Sequence, residues 1–253
     1  MFWKQFRSWL REEFGKPARK VPKKVYLIRH PHTNDEDDGI YRGEFAQVTE
    51  KGREQSRVVA ERIAEIGADL IVTSTYPRSI HLANVLRERC QVGRERPIEV
   101  IPSSLFVECR KPSFMVNEAR EHPRAARIMR RHRKFFDWYY RSSDEENRWM
   151  LERRAHKSFR FLSELDAECV VVVTHGKFLR ILWHYLYEGG TLWGFYWMAD
   201  RLLRHDNTGV TVLELAPNYR TGKIQWNAVS WNDRGHTEAF VPPDILRALA
   251  GKP

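Results

Sequence analysis

Two stretches of this chain deliver a histidine where a buried strand has to stop. In Val25-Tyr-Leu-Ile-Arg29-His30-Pro31-His32-Thr33 a short apolar run ends on Arg29 and His30. In Val170-Val-Val-Val-Thr174-His175-Gly176 an uncharged run rich in β-branched residues ends on His175 and passes directly into helical sequence. Open α/β sheets bind ligands at the carboxyl edge of their strands. A guanidinium and an imidazole at that edge are costly to desolvate unless an anion shares the site. Gly176 permits close backbone approach, and the helix start beyond it offers unpaired N–H groups to an anion. A third stretch, Val72-Thr-Ser-Thr-Tyr-Pro-Arg78, repeats the strand, polar turn and helix order and brings a second arginine to the same edge. Each stretch alone also fits a plain structural reading: a strand emerging into solvent, a satisfied structural histidine, a solvated helix arginine. Two strands sending histidine to one edge point instead to an anion site.

The elements that position these residues alternate strand and helix. Residues 25–28 read as a buried strand, and Thr49 caps a helix that runs to about residue 66. Residues 70–73 form the next strand, and Pro77 at a first-turn position opens a helix to about residue 89. Residues 99–101 make a short strand. A basic helical stretch is expected over residues 118–141, then, after a break at 142–144, a helix to about residue 165. Residues 170–174 form the clearest buried strand, followed by a helix over 176–187. Residues 210–215 and 224–229 complete the sheet as a hairpin. This order predicts an α/β fold, a three-layer sandwich whose mostly parallel central sheet is covered by helices on both faces. Residues 110–165 are expected to form a helical cap insertion in a single domain spanning 25–253.

The motifs, taken in order, resemble the histidine phosphatase superfamily in its phosphoglycerate-mutase-like branch. Arg-His-x-x-Thr lies at residues 29–33, Val-Thr-x-x-Gly within 48–55, Ser-x-x-x-Arg at the start of 74–83, and Thr-His-Gly within 171–176. The resemblance implies that His30 attacks phosphorus in line and becomes phosphohistidine, while Arg29, Arg78 and His175 bind the nonbridging oxygens, with Gly176 beside them. It also implies an acid for the leaving oxygen, and Glu108 in Ser104-Leu-Phe-Val-Glu108-Cys-Arg110 is the candidate. Thr33 of the first motif and Asn34 beside it are further phosphate-binding candidates. No metal and no cofactor is implied. The expected reaction is hydrolysis of a phosphate monoester; a phosphoglycerate-type phosphomutase and a catalytically weak anion-binding or adaptor protein are the alternatives. The chemistry of the residues agrees. A transferring phosphoryl group needs positioning and charge stabilisation, and arginine supplies both through its planar charged fork. Clustered cations also hold a histidine neutral, as a nucleophile must be. The chain departs from the family pattern at two places: Pro31 stands where glycine is usual, removing an N–H, and Glu36 stands where many relatives carry asparagine.

Composition sets the remaining bounds. The 253 residues carry 43 lysines and arginines against 33 aspartates and glutamates, a formal net charge of +10 that favours anionic partners. The three cysteines have no paired spacing, which argues against a disulfide framework or zinc cluster. No run approaches the ~18 apolar residues of a membrane-spanning helix. Residues 1–24 read as an amphipathic basic helix and linker, able to lie on an acidic membrane surface or to pack on the domain. The basic run from Arg120 to Lys134 lacks a recognisable nucleic-acid module. A phosphorylated small molecule is the expected partner, with no nucleic acid, and the expected location is cytoplasmic, with peripheral membrane contact open.

Overall fold

The computed structural model describes residues 22–119, 123, 127, 144–188, 203–218 and 221–238. The N-terminal amphipathic segment to residue 21 and nearly all of the basic run at 120–134 lie outside the described residues.

The chain opens with β1 (Lys23–Arg29), followed by the short helix α1 (Asn34–Asp37) and the two-residue strand β2 (Ile40–Tyr41). Next come α2 (Glu50–Ile66), β3 (Leu70–Thr73), α3 (Pro77–Gln91), β4 (Glu99–Pro102) and β5 (Glu118–Ala119). The second half contributes α4 (Arg148–Glu164), β6 (Cys169–Thr174), α5 (Gly176–Glu188), β7 (Val210–Pro217), β8 (Ile224–Asp233) and α6 (Gly235–Glu238). The main sheet runs β4-β3-β6-β1-β7-β8. Its first four strands are mutually parallel, and β7 is antiparallel to both neighbours.

The period-two alternation of the strands builds two cores. Val25, Leu27, Val72, Val170 and Val172 face one side, where α4 contributes Leu151 and Phe159 and α5 contributes Phe178 and Leu182. Ile28, Ile71, Val171 and Val173 face the other, against Val59 and Ile63 of α2 and Leu82 and Leu86 of α3. The result is the expected three layers. Helix ends also follow the sequence: Thr49 accepts a hydrogen bond from the Gly52 amide, and Gly67 closes α2 in the left-handed region.

The structure corrects three boundaries. No helix begins at residue 118: Glu118 and Ala119 pair as a strand with Tyr41 and Ile40. The cause is Asn117, which takes φ 68° and donates its amide to the Tyr41 carbonyl, turning the chain into the pairing. Helix α4 starts only at Arg148, where the Asn147 side chain caps it by accepting from the Met150 amide. The polybasic linker ends earlier than expected, since Lys23 and Lys24 belong to β1.

Lys23 is fully buried. Its ammonium donates to the carbonyls of Leu162 (2.8 Å), Ser163 (3.3 Å) and Leu165 (2.6 Å). These are carbonyls at the C-terminal end of α4, where a cation is favoured by the helix dipole. Replacing Lys23 with methionine keeps most of the volume but leaves those carbonyls without this donor. The expected loss is about 2–4 kcal/mol of stability, read from the midpoint of urea unfolding.

Candidate active site

The strand ends of β1, β3 and β6 lie side by side, so Arg29, His30, Ser74, Arg78 and His175 converge at one edge of the sheet. The His30 amide donates to the Thr174 carbonyl (2.9 Å) and the Ser74 amide to that of Val173 (2.9 Å), which fixes the three ends in register. The rings of His30 and His175 stand 5.1 Å apart, centroid to centroid. His175 is fully buried and His30 nearly so.

Hydrogen bonds set the tautomer of each ring. His30 donates Nδ1–H to the Pro31 carbonyl (2.8 Å), leaving the lone pair on Nε2. The residue that lacks a donor of its own thus supplies the acceptor that orients the imidazole. Arg78 Nη2 donates to His175 Nδ1 (3.2 Å), so His175 carries its proton on Nε2 and donates to Ser74 Oγ (2.8 Å). Burial, then Arg78, then Arg29 hold the His30 pKa well below the usual histidine range. Burial followed by Arg78 and His30 does the same for His175. Both rings are therefore neutral near pH 7.

The two arginines are clamped from behind. Arg78 Nη1 donates to the Gly43 carbonyl (2.7 Å), and Gly43 takes φ 59°, a conformation that favours glycine. Arg29 Nη1 donates to the His205 carbonyl (2.7 Å), and its Nη2 pairs with Glu36 Oε2 (3.1 Å). The Nε–H groups of both arginines are buried without an acceptor among the described residues. Arg42 Nε is likewise buried without an acceptor among the described residues, so it is the placement of Arg29 and Arg78 beside a pair of neutral imidazoles that outlines a binding place for an oxyanion. Gly176 has a steric reason of its own: a Cβ there would stand 3.2 Å from both Cδ and Nε of Arg29.

The Val-Thr-x-x-Gly segment positions the loop that follows His30. A Cβ on Gly52 would lie 2.3 Å from the His32 carbonyl oxygen, so only glycine lets the start of α2 abut that loop. Gln55 Oε1 then accepts from the His32 amide (2.9 Å).

Glu108 lies against the first turn of α5, the helix that follows His175. Its Oε1 accepts from the amides of Cys109 (2.8 Å) and Phe178 (3.1 Å), and its Oε2 from that of Lys177 (3.4 Å). Burial first, and the Glu108 carboxylate after it, push the Tyr41 hydroxyl pKa up. Thr33 and Asn34 do not share the arginine and histidine hydrogen bonds. Thr33 Oγ1 donates to Asp35 (2.6 Å), and Asn34 Oδ1 accepts from the Gln47 amide (3.0 Å), tying α1 to the loop before α2.

Several supporting residues escaped the sequence reading. Arg154 on α4 donates to the carbonyls of Leu105 (3.1 Å) and Val107 (2.7 Å), holding the turn that carries Glu108, while Glu146 pairs with it (2.8 Å). Asn207 Nδ2 donates to Glu36 Oε1 (2.9 Å) and to the His30 carbonyl (3.2 Å). His205, whose carbonyl holds Arg29, is itself buried, and burial lowers its pKa to about 3. Only Ser74 carried a signal, as the first residue of Ser-x-x-x-Arg. Among the described residues, no group of three histidine, cysteine or acidic side chains is placed to hold a metal ion, and no helix is long and apolar enough to cross a membrane.

Solved structures of this fold are similar over most of the chain. A mycobacterial glucosyl-3-phosphoglycerate phosphatase with bound VO3 is 20% identical at a TM-score of 0.65, covering 84% of this chain and 100% of its own. YhfR of Bacillus stearothermophilus is 22% identical at a TM-score of 0.67, covering 85% and 98%. A mutant phosphoserine phosphatase of Entamoeba histolytica in complex with phosphoserine is 19% identical at a TM-score of 0.65, covering 85% and 98%. No curated protein matches the sequence. Residues 25–234, which carry every side chain of the site described above, match the model of the histidine phosphatase superfamily, branch 1, and the chain belongs to that superfamily.

Proposed function

We propose that this protein is a phosphatase that hydrolyses phosphate monoesters through a phosphohistidine on His30, with Glu108 as proton donor to the leaving oxygen. One observation carries the reading: a buried neutral His30 has its Nδ1–H fixed on the Pro31 carbonyl, and His175 and two orphaned arginine donors surround it. Nε2 of His30 attacks phosphorus, and the P–O bond to the leaving group breaks as that oxygen takes a proton from Glu108. Arg29 and Arg78 hold the equatorial oxygens, where charge is spread in the transition state, and His175, fixed between Arg78 and Ser74, lines the pocket beside them. Water then attacks the phosphohistidine with Glu108 as base, releasing inorganic phosphate and restoring His30. The phosphatases among the structural neighbours support this choice of net reaction. None of these steps requires a metal ion.

The test is to trap the intermediate. Full-length protein mixed with a radiolabelled phosphate monoester and quenched within a turnover should carry label that is stable in alkali and lost in acid, the behaviour of a phosphoramidate. Free phosphate should then appear at the rate at which label disappears. Phosphate release with no labelled protein at any quench time would remove the covalent step from the account.

A further inference from the structure

The chain as a whole carries +10, yet both arginines of the anion pocket have carboxylates nearby. Arg29 is paired with Glu36 at 3.1 Å, and Arg78 lies in the field of Glu108 and Asp35. Glu36 is held on both oxygens. Oε2 faces Arg29, and Oε1 accepts from Asn207 Nδ2 (2.9 Å) and, more distantly, from Thr33 Oγ1 (3.4 Å). Asn207 in turn spans from Glu36 to the His30 carbonyl, so this carboxylate is built into the frame that carries the nucleophile. The side chains of Arg29 and Glu36 are 21% and 23% exposed, so water screens the pair only in part. Removal of the carboxylate charge leaves a pocket with more net positive charge and the same donors.

We propose that Glu36 sets the affinity of the pocket for the phosphoryl group: its fixed negative charge offsets Arg29, weakens binding of the phosphate dianion and favours release of product. This rests on the reading that the His30 pocket takes a phosphoryl group. Glu36 does not need to touch the substrate; it acts through Arg29 and through the field at the site. A carboxylate beside a dianion in a partly desolvated pocket repels it by enough to change binding about tenfold, even at an effective dielectric constant of about 20.

Glu36→Gln is the appropriate change, since the amide oxygen can still accept from Arg29. The dissociation constant of inorganic phosphate is measured by calorimetry on full-length wild type, on Glu36→Gln and on the shorter Glu36→Asn. Glu54→Gln removes an equal charge on the exposed side of α2, where Glu54 pairs with Arg57 (2.8 Å), and serves as control. Phosphate should bind Glu36→Gln about tenfold more tightly, and Glu36→Asn should shift in the same direction. KM for a phosphate monoester should fall with it, with no matching gain in kcat, and Glu54→Gln should behave as wild type. A change under about threefold for Glu36→Gln, a weakening, or the same tightening in Glu54→Gln overturns the proposal. If the wild type binds phosphate but turns over no monoester, the phosphatase reading fails while this one stands. If neither wild type nor Glu36→Gln binds phosphate, the charge-setting assignment itself is refuted.

Discussion

His30→Ala is expected to lower kcat/KM for p-nitrophenyl phosphate by at least about a thousandfold, since it removes the attacking atom and leaves only binding and field effects. The substrate still meets Arg29, Arg78 and His175, so phosphate binding should persist while turnover collapses. That split separates loss of a nucleophile from loss of the pocket. The pH dependence provides a second check. Burial, followed by Arg78 and Arg29, lowers the His30 pKa well below its ordinary value, so the ring stays neutral as pH falls through about 6.5. The acid limb of kcat/KM belonging to His30 should therefore lie below that pH; a limb at or above it would contradict the assignment. The same depression acts on stability with a definite sign. Below about pH 6.5 the unfolded chain binds a proton at this position that the folded chain does not, so stability is lost as pH falls towards the folded pKa. His30→Ala lacks this penalty. Comparing urea unfolding at pH 7.5 and 5.5, the variant should lose less stability than the wild type over that interval. A variant retaining near-normal turnover would sink the covalent mechanism.

The residues of the candidate site are legible in the sequence because they fall at places where local rules are strict. A buried strand that ends on Arg29 and His30, and another that ends on His175 and Gly176, announce a sheet edge whatever the topology. Thr49 and Pro77 mark helix starts through capping and a fixed φ, and both helices begin there. What sequence could not provide is the supply of backbone acceptors and distant partners. Arg29 is held by the carbonyl of His205, and Arg78 by that of Gly43; a carbonyl has no residue-type signature. Arg154 reads on sequence as an ordinary cation in a basic helix, yet it fastens the turn before Glu108 across nearly fifty residues of chain. On sequence Glu36 is only a departure from the asparagine that many relatives carry. Its engagement with Arg29 and Asn207 depends on the loop before β7, which carries no motif. The error at Glu118 has the same origin: composition favours a helix there, and pairing with Tyr41, entered through a left-handed Asn117, overrides it.

Glu108→Gln is expected to cost about 10²–10⁴ in kcat/KM on an alkyl phosphate but less than about tenfold on p-nitrophenyl phosphate. The asymmetry follows from the leaving group. An alkoxide is too basic to depart without a proton, whereas nitrophenolate departs as the anion. The position of Glu108 is set by the same helix that follows His175: the Phe178 and Lys177 amides at the start of α5 hold its two oxygens. Thr174 Oγ1 ties the end of β6 to the Phe106 carbonyl (2.7 Å), which fastens the turn bearing Glu108 to the strand bearing His175. Glutamine keeps one acceptor oxygen for that helix end and the same length of side chain, but it has no proton to give. A purely structural glutamate would, when replaced, disturb His175 and Arg78 and slow both substrates alike. Equal losses on the two phosphates would therefore move Glu108 from proton donor to scaffold. A loss confined to the alkyl phosphate would place its carboxyl at the leaving oxygen.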